Sequence, residues 1–235
     1  MTVEEFESLI WSYARAHGNP FIEWTERNKL RLFVNRHLQR FVELTKVLYD
    51  DDIDFDTTAS DDGTYDLTDT DVFARIVLEP EYVIVNGNAC LGFDGLPGFT
   101  SVQELNDLPY DYRTVARGTP EYAALIPPNT LRLVPRPSAV LDCAIAGWYQ
   151  HYDLTGSAVL DTTDIDLPNG AIDAAAQFIA AELIMVEAEG EAIKKAQFLA
   201  ERGLAQGKKA ATRSSSFLQG QMVRGRRHRH NYTLD

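Results

Sequence analysis

The chain has 235 residues, 45% of them hydrophobic and 24% charged, with a net charge of −13 and two cysteines. That length and apolar content suit one large or two small domains with a proper core and exclude a globally disordered chain. No stretch approaches eighteen apolar residues free of charge, and the acidic start Met1-Thr2-Val3-Glu4-Glu5 lacks the basic and apolar regions of a signal peptide, so neither a membrane span nor secretion is expected and the cytoplasm is the expected place of manufacture.

Val3, Phe6, Leu9, Ile10 and Tyr13 recur at helical spacing and predict an amphipathic helix over 2–16, with Thr2 and Glu5 spaced as a capping box and His17-Gly18-Asn19-Pro20 ending it. A second helix is predicted from Ile22 to Tyr49, its stripe formed by Leu30, Phe33, Val34, His37, Leu38, Phe41, Leu44, Thr45 and Leu48. Ten aspartates then fall between Asp50 and Asp71, interleaved with Thr, Ser and Gly; aspartate is a poor helix former and repels its like, so an exposed loop is expected over 51–71.

From Val72 the pattern turns to strands. Val72–Leu78 and Tyr82–Val85 are β-rich, Asn86-Gly87 is a strong turn signal, and a Gly/Pro-rich stretch runs to Gly98. Val102 and Leu105 suit a short helical turn over 101–107. Leu131–Val134 reads as a strand between Pro127-Pro128 and Pro135/Pro137, and Ala139–His151 as a further strand. Asp166-Leu167-Pro168-Asn169 closes this region and opens one long helix over 171–207, apolar nearly all round from Ile172 to Val186, with Gly190 read as an interior glycine that permits a kink.

After Ala211 the composition becomes Ser, Gln, Gly and Arg. Residues 208–235 hold seven basic residues against Asp235, a net +6, while the remainder carries 15 basic and 34 acidic residues, a net −19. A segment of this kind buries too little to fold alone and is expected to be an extended tail that orders on a partner. Arginines suit phosphates, but Phe217 and Tyr232 are the tail's only aromatic rings, which weighs against sequence-specific single-strand recognition. Insertion along a partner protein, contact with nucleic acid, and a merely solvated terminus remain open.

Catalytic signals are weak. Asp50, Asp52 and Asp54 alternate as in a calcium loop, but Phe55 and Asp61 occupy the places that need Gly and Glu. His37 lies on a helix stripe, His228-Arg229-His230 sits among arginines that repel cations, and Ser214–Ser216 lie in the tail. Cys90 and Cys143 belong to no CxxC pair and read as reduced, partly buried thiols. No GxSxG, Walker A loop or GxGxxG occurs. No catalytic residue, metal or cofactor is expected, and the reading is of a non-enzymatic assembly subunit.

The order of elements carries a resemblance. Gly63-Thr64-Tyr65-Asp66-Leu67 opens the β region. The run Ile126-Pro127-Pro128-Asn129-Thr130-Leu131-Arg132-Leu133-Val134-Pro135-Arg136-Pro137 follows. Gly147-Trp148-Tyr149, Leu154, Asp164–Asn169 and the helix 171–205 complete the series. Over most of residues 1–210 the chain resembles the head–tail adaptor (connector) proteins of tailed bacteriophages, departing from them in the long acidic loop and in Gly87–Gly98.

The resemblance implies an α+β fold: a helical bundle made of two N-terminal helices (1–50) and a long C-terminal helix (166–210), an acidic loop (51–71), an inserted antiparallel β domain (72–165), and an extended basic docking tail (211–235). It implies a homo-oligomeric ring of about twelve copies under the portal, joining capsid to tail or nozzle protein at the head–tail junction of the virion, with DNA passing through without sequence-specific binding. The portal-docking residues are then Arg213, Phe217, Arg224, Arg226, Arg227, His228, Arg229, His230 and Tyr232. Ile172, Phe178, Ile179, Leu183, Ile184 and Val186 are expected to pack against a ring neighbour, because a helix apolar on all sides needs cover on all sides. Other readings are a tail-completion or collar subunit, a hydrolase using buried carboxylates, and a nucleic-acid-binding protein.

Overall fold

The computed structural model describes residues 1–17, 27–57, 62–73, 75–92, 94–155, 161–186 and 189–229; for 27, 28 and 213–229 the description is of the helical backbone. The predicted helix end at Gly18-Asn19-Pro20 and the predicted start at Ile22 lie outside the described residues. The fold is α+β, and the chain divides into two compact units, 1–48 with 151–235, and 49–150.

The first unit is helical. Helix α1 (Val3–His17) buries Val3, Phe6, Ile10 and Ala14 at the predicted spacing. Its first turn is satisfied twice over: Thr2 and Glu5 form the reciprocal capping bonds, and the carbonyls of Thr163 and Asp161 accept from the N–H groups of Val3 and Glu4. Helix α2 (Arg27–Thr45) turns Leu30, Val34, Leu38, Phe41 and Val42 inward. It stops short of the predicted Tyr49 because Lys46 takes a left-handed conformation at φ 52°.

The long helix expected over 171–207 is two helices, α5 (Asn169–Met185) and α6 (Glu191–Arg229) (α3 and α4 belong to the other unit). Gly190, at φ +60°, lies in the connection between them and not inside a helix, and α6 returns along α5. Gly203 and Gly207, four residues apart, let this return be close. A Cβ on Gly203 would stand 2.7 Å from the Ala174 carbonyl oxygen, and one on Gly207 2.6 Å from the Phe41 ring. Arg31 ties the unit together from the side, with Nε 3.0 Å from Glu7 and a terminal nitrogen 2.6 Å from Asp161.

The second unit holds two antiparallel sheets. The first has the order β1-β7-β3-β4, from β1 (Tyr49–Asp56), β7 (Asp142–Tyr149), β3 (Val77–Val85) and β4 (Asn88–Ala89). The second has the order β2-β6-β5, from β2 (Thr64–Asp66), β6 (Thr130–Val134) and β5 (Tyr122–Ile126). Asn86 and Gly87, at φ 49° and 77°, make the two-residue hairpin their dipeptide predicts. Phe55 of β1, Tyr65 of β2 and Phe73 of the short helix α3 (Thr70–Phe73) meet with ring centroids 5.0–5.3 Å apart. Helix α4 (Val102–Asn106) is held by a capping box between Ser101 and Glu104.

The acidic loop expected over 51–71 is therefore corrected: it contains two strands and α3. Ile53 and Phe55 alternate inward on β1, opposite Ile145 and Cys143 of β7, while Asp52, Asp54 and Asp56 face solvent. Burial of the alternate residues and pairing with β7 overcome the low strand propensity of aspartate. The strand expected over 72–78 is corrected likewise, since Thr70–Phe73 is helical and the strand begins at Val77.

Candidate functional site

The C-terminal segment is the first candidate. Helix α6 has 39 residues, roughly 58 Å at the usual rise, against 17 in α5. Gly207 lies against Phe41 and Thr45 at the end of α2, and Ala210 lies 3.8 Å from where a Cβ on Gly170 would stand, at the start of α5. The helices that cover α6 thus end level with residues 207–210. Residues 211–229 continue as helix for roughly 28 Å past those ends.

The sequence led to an extended tail from residue 211; the backbone is helical to Arg229 instead. The physical reason is continuity. Adding a residue to a formed helix costs far less than nucleating one, and Arg, Gln, Leu and Met are good helix formers. Arg213, Phe217, Arg224, Arg226, Arg227, His228 and Arg229 fall within this helical arm, whereas His230 and Tyr232 lie outside the described residues.

The residues expected to pack against a ring neighbour sit elsewhere. Ile172, Phe178, Ile179, Leu183 and Ile184 are all buried within their own chain; Val186 alone is open, at 56% exposure. Three helices of the same chain, α1, α2 and α6, pack on α5. The ring centroids of Phe41 and Phe178, for example, are 5.8 Å apart. The cover sought from a neighbour is supplied from within because the break at Gly190 folds α6 back as a fourth helix, which a single unbroken helix would not have provided.

The exposed side of α2 was not singled out by its sequence. Lys29, Leu32, Arg36, Arg40 and Leu44 are exposed, and the last four stand at four-residue intervals along one face. Charge counted over residues 27–46 would have found it: six Lys and Arg against Glu43. The other charged surface is β1. The Asp54 carboxyl is raised above the usual carboxylate range, first by Asp52 and also by Asp142, Asp50 and Asp56.

Four acidic groups of the helical unit are engaged in structure. Glu7 and Asp161 flank Arg31, Asp173 accepts the Tyr13 hydroxyl at 2.5 Å, and Glu182 lies 3.4 Å from Arg40. The bond to Asp173 is the main cause that raises the Tyr13 pKa. In the β unit an open cavity of about 310 Å³ lies beside α4, with Asp111 its one carboxylate, 3.7 Å from Arg113. Asp50, Asp52 and Asp54 lie on β1, not in a loop, and among the described residues no group of three or more His, Cys, Asp or Glu is placed to hold a metal ion. Cys90 and Cys143 are free and buried, and burial pushes both thiols up to about 12. Among the described residues no helix is long and apolar enough to cross a membrane.

No curated protein matches this chain. The family model described as SU10 adaptor protein matches residues 1–225, nearly its whole length and both compact units. The chain belongs to that family of tailed-phage head–tail adaptors, and is a structural adaptor of the virion.

Proposed function

We propose that this adaptor closes into a ring of about twelve copies beneath the portal, with its helical arm docked on the portal and its β unit receiving tail or nozzle proteins. The observation that carries this reading is the arm. A helix of roughly 28 Å that continues past its own bundle, on the segment that reverses the sign of an acidic chain, is a projection suited to a partner surface. Its arginines offer planar, always charged groups for carboxylates on that partner. The strongly acidic remainder repels duplex DNA, so DNA passes a ring of this kind without sticking.

Electron microscopy of the purified chain, alone and with the portal protein of its phage, tests the reading. A closed ring, alone or on the portal, is expected. Particles that stay monomeric in both conditions contradict it.

A further inference from the structure

The charges of this acidic chain separate onto different elements. Residues 27–46 hold six of the fifteen Lys and Arg that precede Lys208, with one acid, Glu43. Residues 49–74 hold ten aspartates and no Lys or Arg.

On α2 the buried side faces the helical core, so the open side is a single stripe. Leu32 is 61% exposed and Leu44 45% exposed, with Arg36 and Arg40 between them. The stripe runs roughly 18 Å along the helix. Arg36 has no ion pair among the described residues, and Arg40, still 57% exposed, reaches Glu182 at 3.4 Å. A single exposed leucine is ordinary on a protein surface; two leucines bracketing two arginines on one helical face form a mixed apolar and cationic strip.

Among the described residues strand β1 is an edge strand, paired to β7 alone. Asp52, Asp54 and Asp56 stand on its open face over roughly 13 Å, and Asp142 lies opposite Asp56. The charges around Asp54 are all of its own sign, so this surface repels itself until cations meet it. The two surfaces oppose in sign, and the aspartate row is long enough to meet both arginines, which stand one helical turn apart.

We propose that the Leu32–Arg36–Arg40–Leu44 face of α2 docks on the aspartate face of β1 of a second copy. The inference rests on the ring proposed above and names its contact. A head-to-tail contact that closes into a ring needs two different patches on each subunit, and here the two patches differ in charge. DNA phosphates would also suit the arginines, but the net charge of −13 repels duplex DNA at range, whereas the carboxylates of β1 belong to a copy of the same chain.

Sedimentation velocity and negative-stain microscopy on the full chain test this. Arg36→Glu alone places like charges in every contact, and so does the pair Asp52→Lys with Asp54→Lys. Each variant is expected to weaken self-association by roughly tenfold or more. In an equimolar mixture of the two, alternating copies restore opposite charges at every contact, so assembly returns. Leu32→Ser, at an exposed position, is expected to weaken assembly while the melting temperature, read at a concentration where the chain is monomeric, stays close to that of the wild type. Variants that assemble like the wild type, or a mixture that assembles no better than its components, overturn the contact. So does an Arg36→Glu chain that loses affinity for duplex DNA while its rings stay intact. A wild-type chain that stays monomeric at every concentration overturns the ring as well, whereas wild-type rings beside a mixture that fails overturn only the contact.

Discussion

His37 shows how a residue read as part of an apolar stripe becomes a titrating group. Burial, and then Arg40 and Arg36, lower its imidazole pKa from 6.5 to about 4. Phe33 covers one side with centroids 4.2 Å apart, and Nδ1 has no hydrogen-bond partner among the described residues. Glu182 lies 3.9 Å from Nδ1, beyond hydrogen-bond range, on a carboxylate that also serves Arg40, so it does not offset the burial.

The folded chain therefore binds this proton less tightly than the unfolded chain does. The stability His37 contributes is complete above about pH 6.5 and falls as the pH drops toward 4. His37→Gln, which keeps a polar group but does not titrate, is expected to flatten that part of the urea-midpoint profile. Parallel losses in variant and wild type between pH 6.5 and 4 would contradict the assignment.

Among the elements, those with one clear periodicity were legible. Helix α1 with its capping box, the Asn86-Gly87 hairpin and the strand at Leu131–Val134 stand where their residues point, and so does the stripe of α2 except for Leu44, which is exposed, and Leu48, which lies beyond the helix. Strand β1 was hidden because aspartates outnumber the two residues, Ile53 and Phe55, whose burial decides its pairing. The break between α5 and α6 was hidden because a glycine's backbone angle is not written in its neighbours, so Gly190 passed for an interior residue. On the candidate surfaces, the basic arm was legible from composition, but the open face of α2 needed knowledge of which side of that helix is covered.

The same close approach that folds α6 back gives an element-scale prediction. Gly203→Ala gains helix propensity of about 1 kcal/mol but drives a methyl to 2.7 Å from the Ala174 oxygen and 2.9 Å from the Phe178 nitrogen. These are backbone atoms of α5, so the two helices must part, and a net loss of about 1–3 kcal/mol is expected. Denaturant unfolding with an unchanged slope checks it. A Gly203→Ala chain as stable as the wild type would show that α6 does not pack this tightly.

For the whole molecule, the two compact units and the arm divide the work of an adaptor. The helical unit supplies a core closed within one chain, with Ile179 and Ala180 fully buried, so the subunit does not depend on its neighbours for a core. Surfaces left for assembly are then the exposed ones: the open face of α2, the aspartates of β1 and the arm. Burial inside one chain takes Ile172–Ile184 out of the neighbour contact, and the contact proposed above rests on charge instead.

The most direct test of the adaptor account is removal of the arm. A chain lacking 211–235 keeps every helix that covers the core, because those helices end level with residues 207–210. Its binding to the portal protein of its phage, measured by co-sedimentation beside the full chain, is predicted to be lost while its fold and self-association persist. Portal attachment undiminished by the truncation would contradict the account.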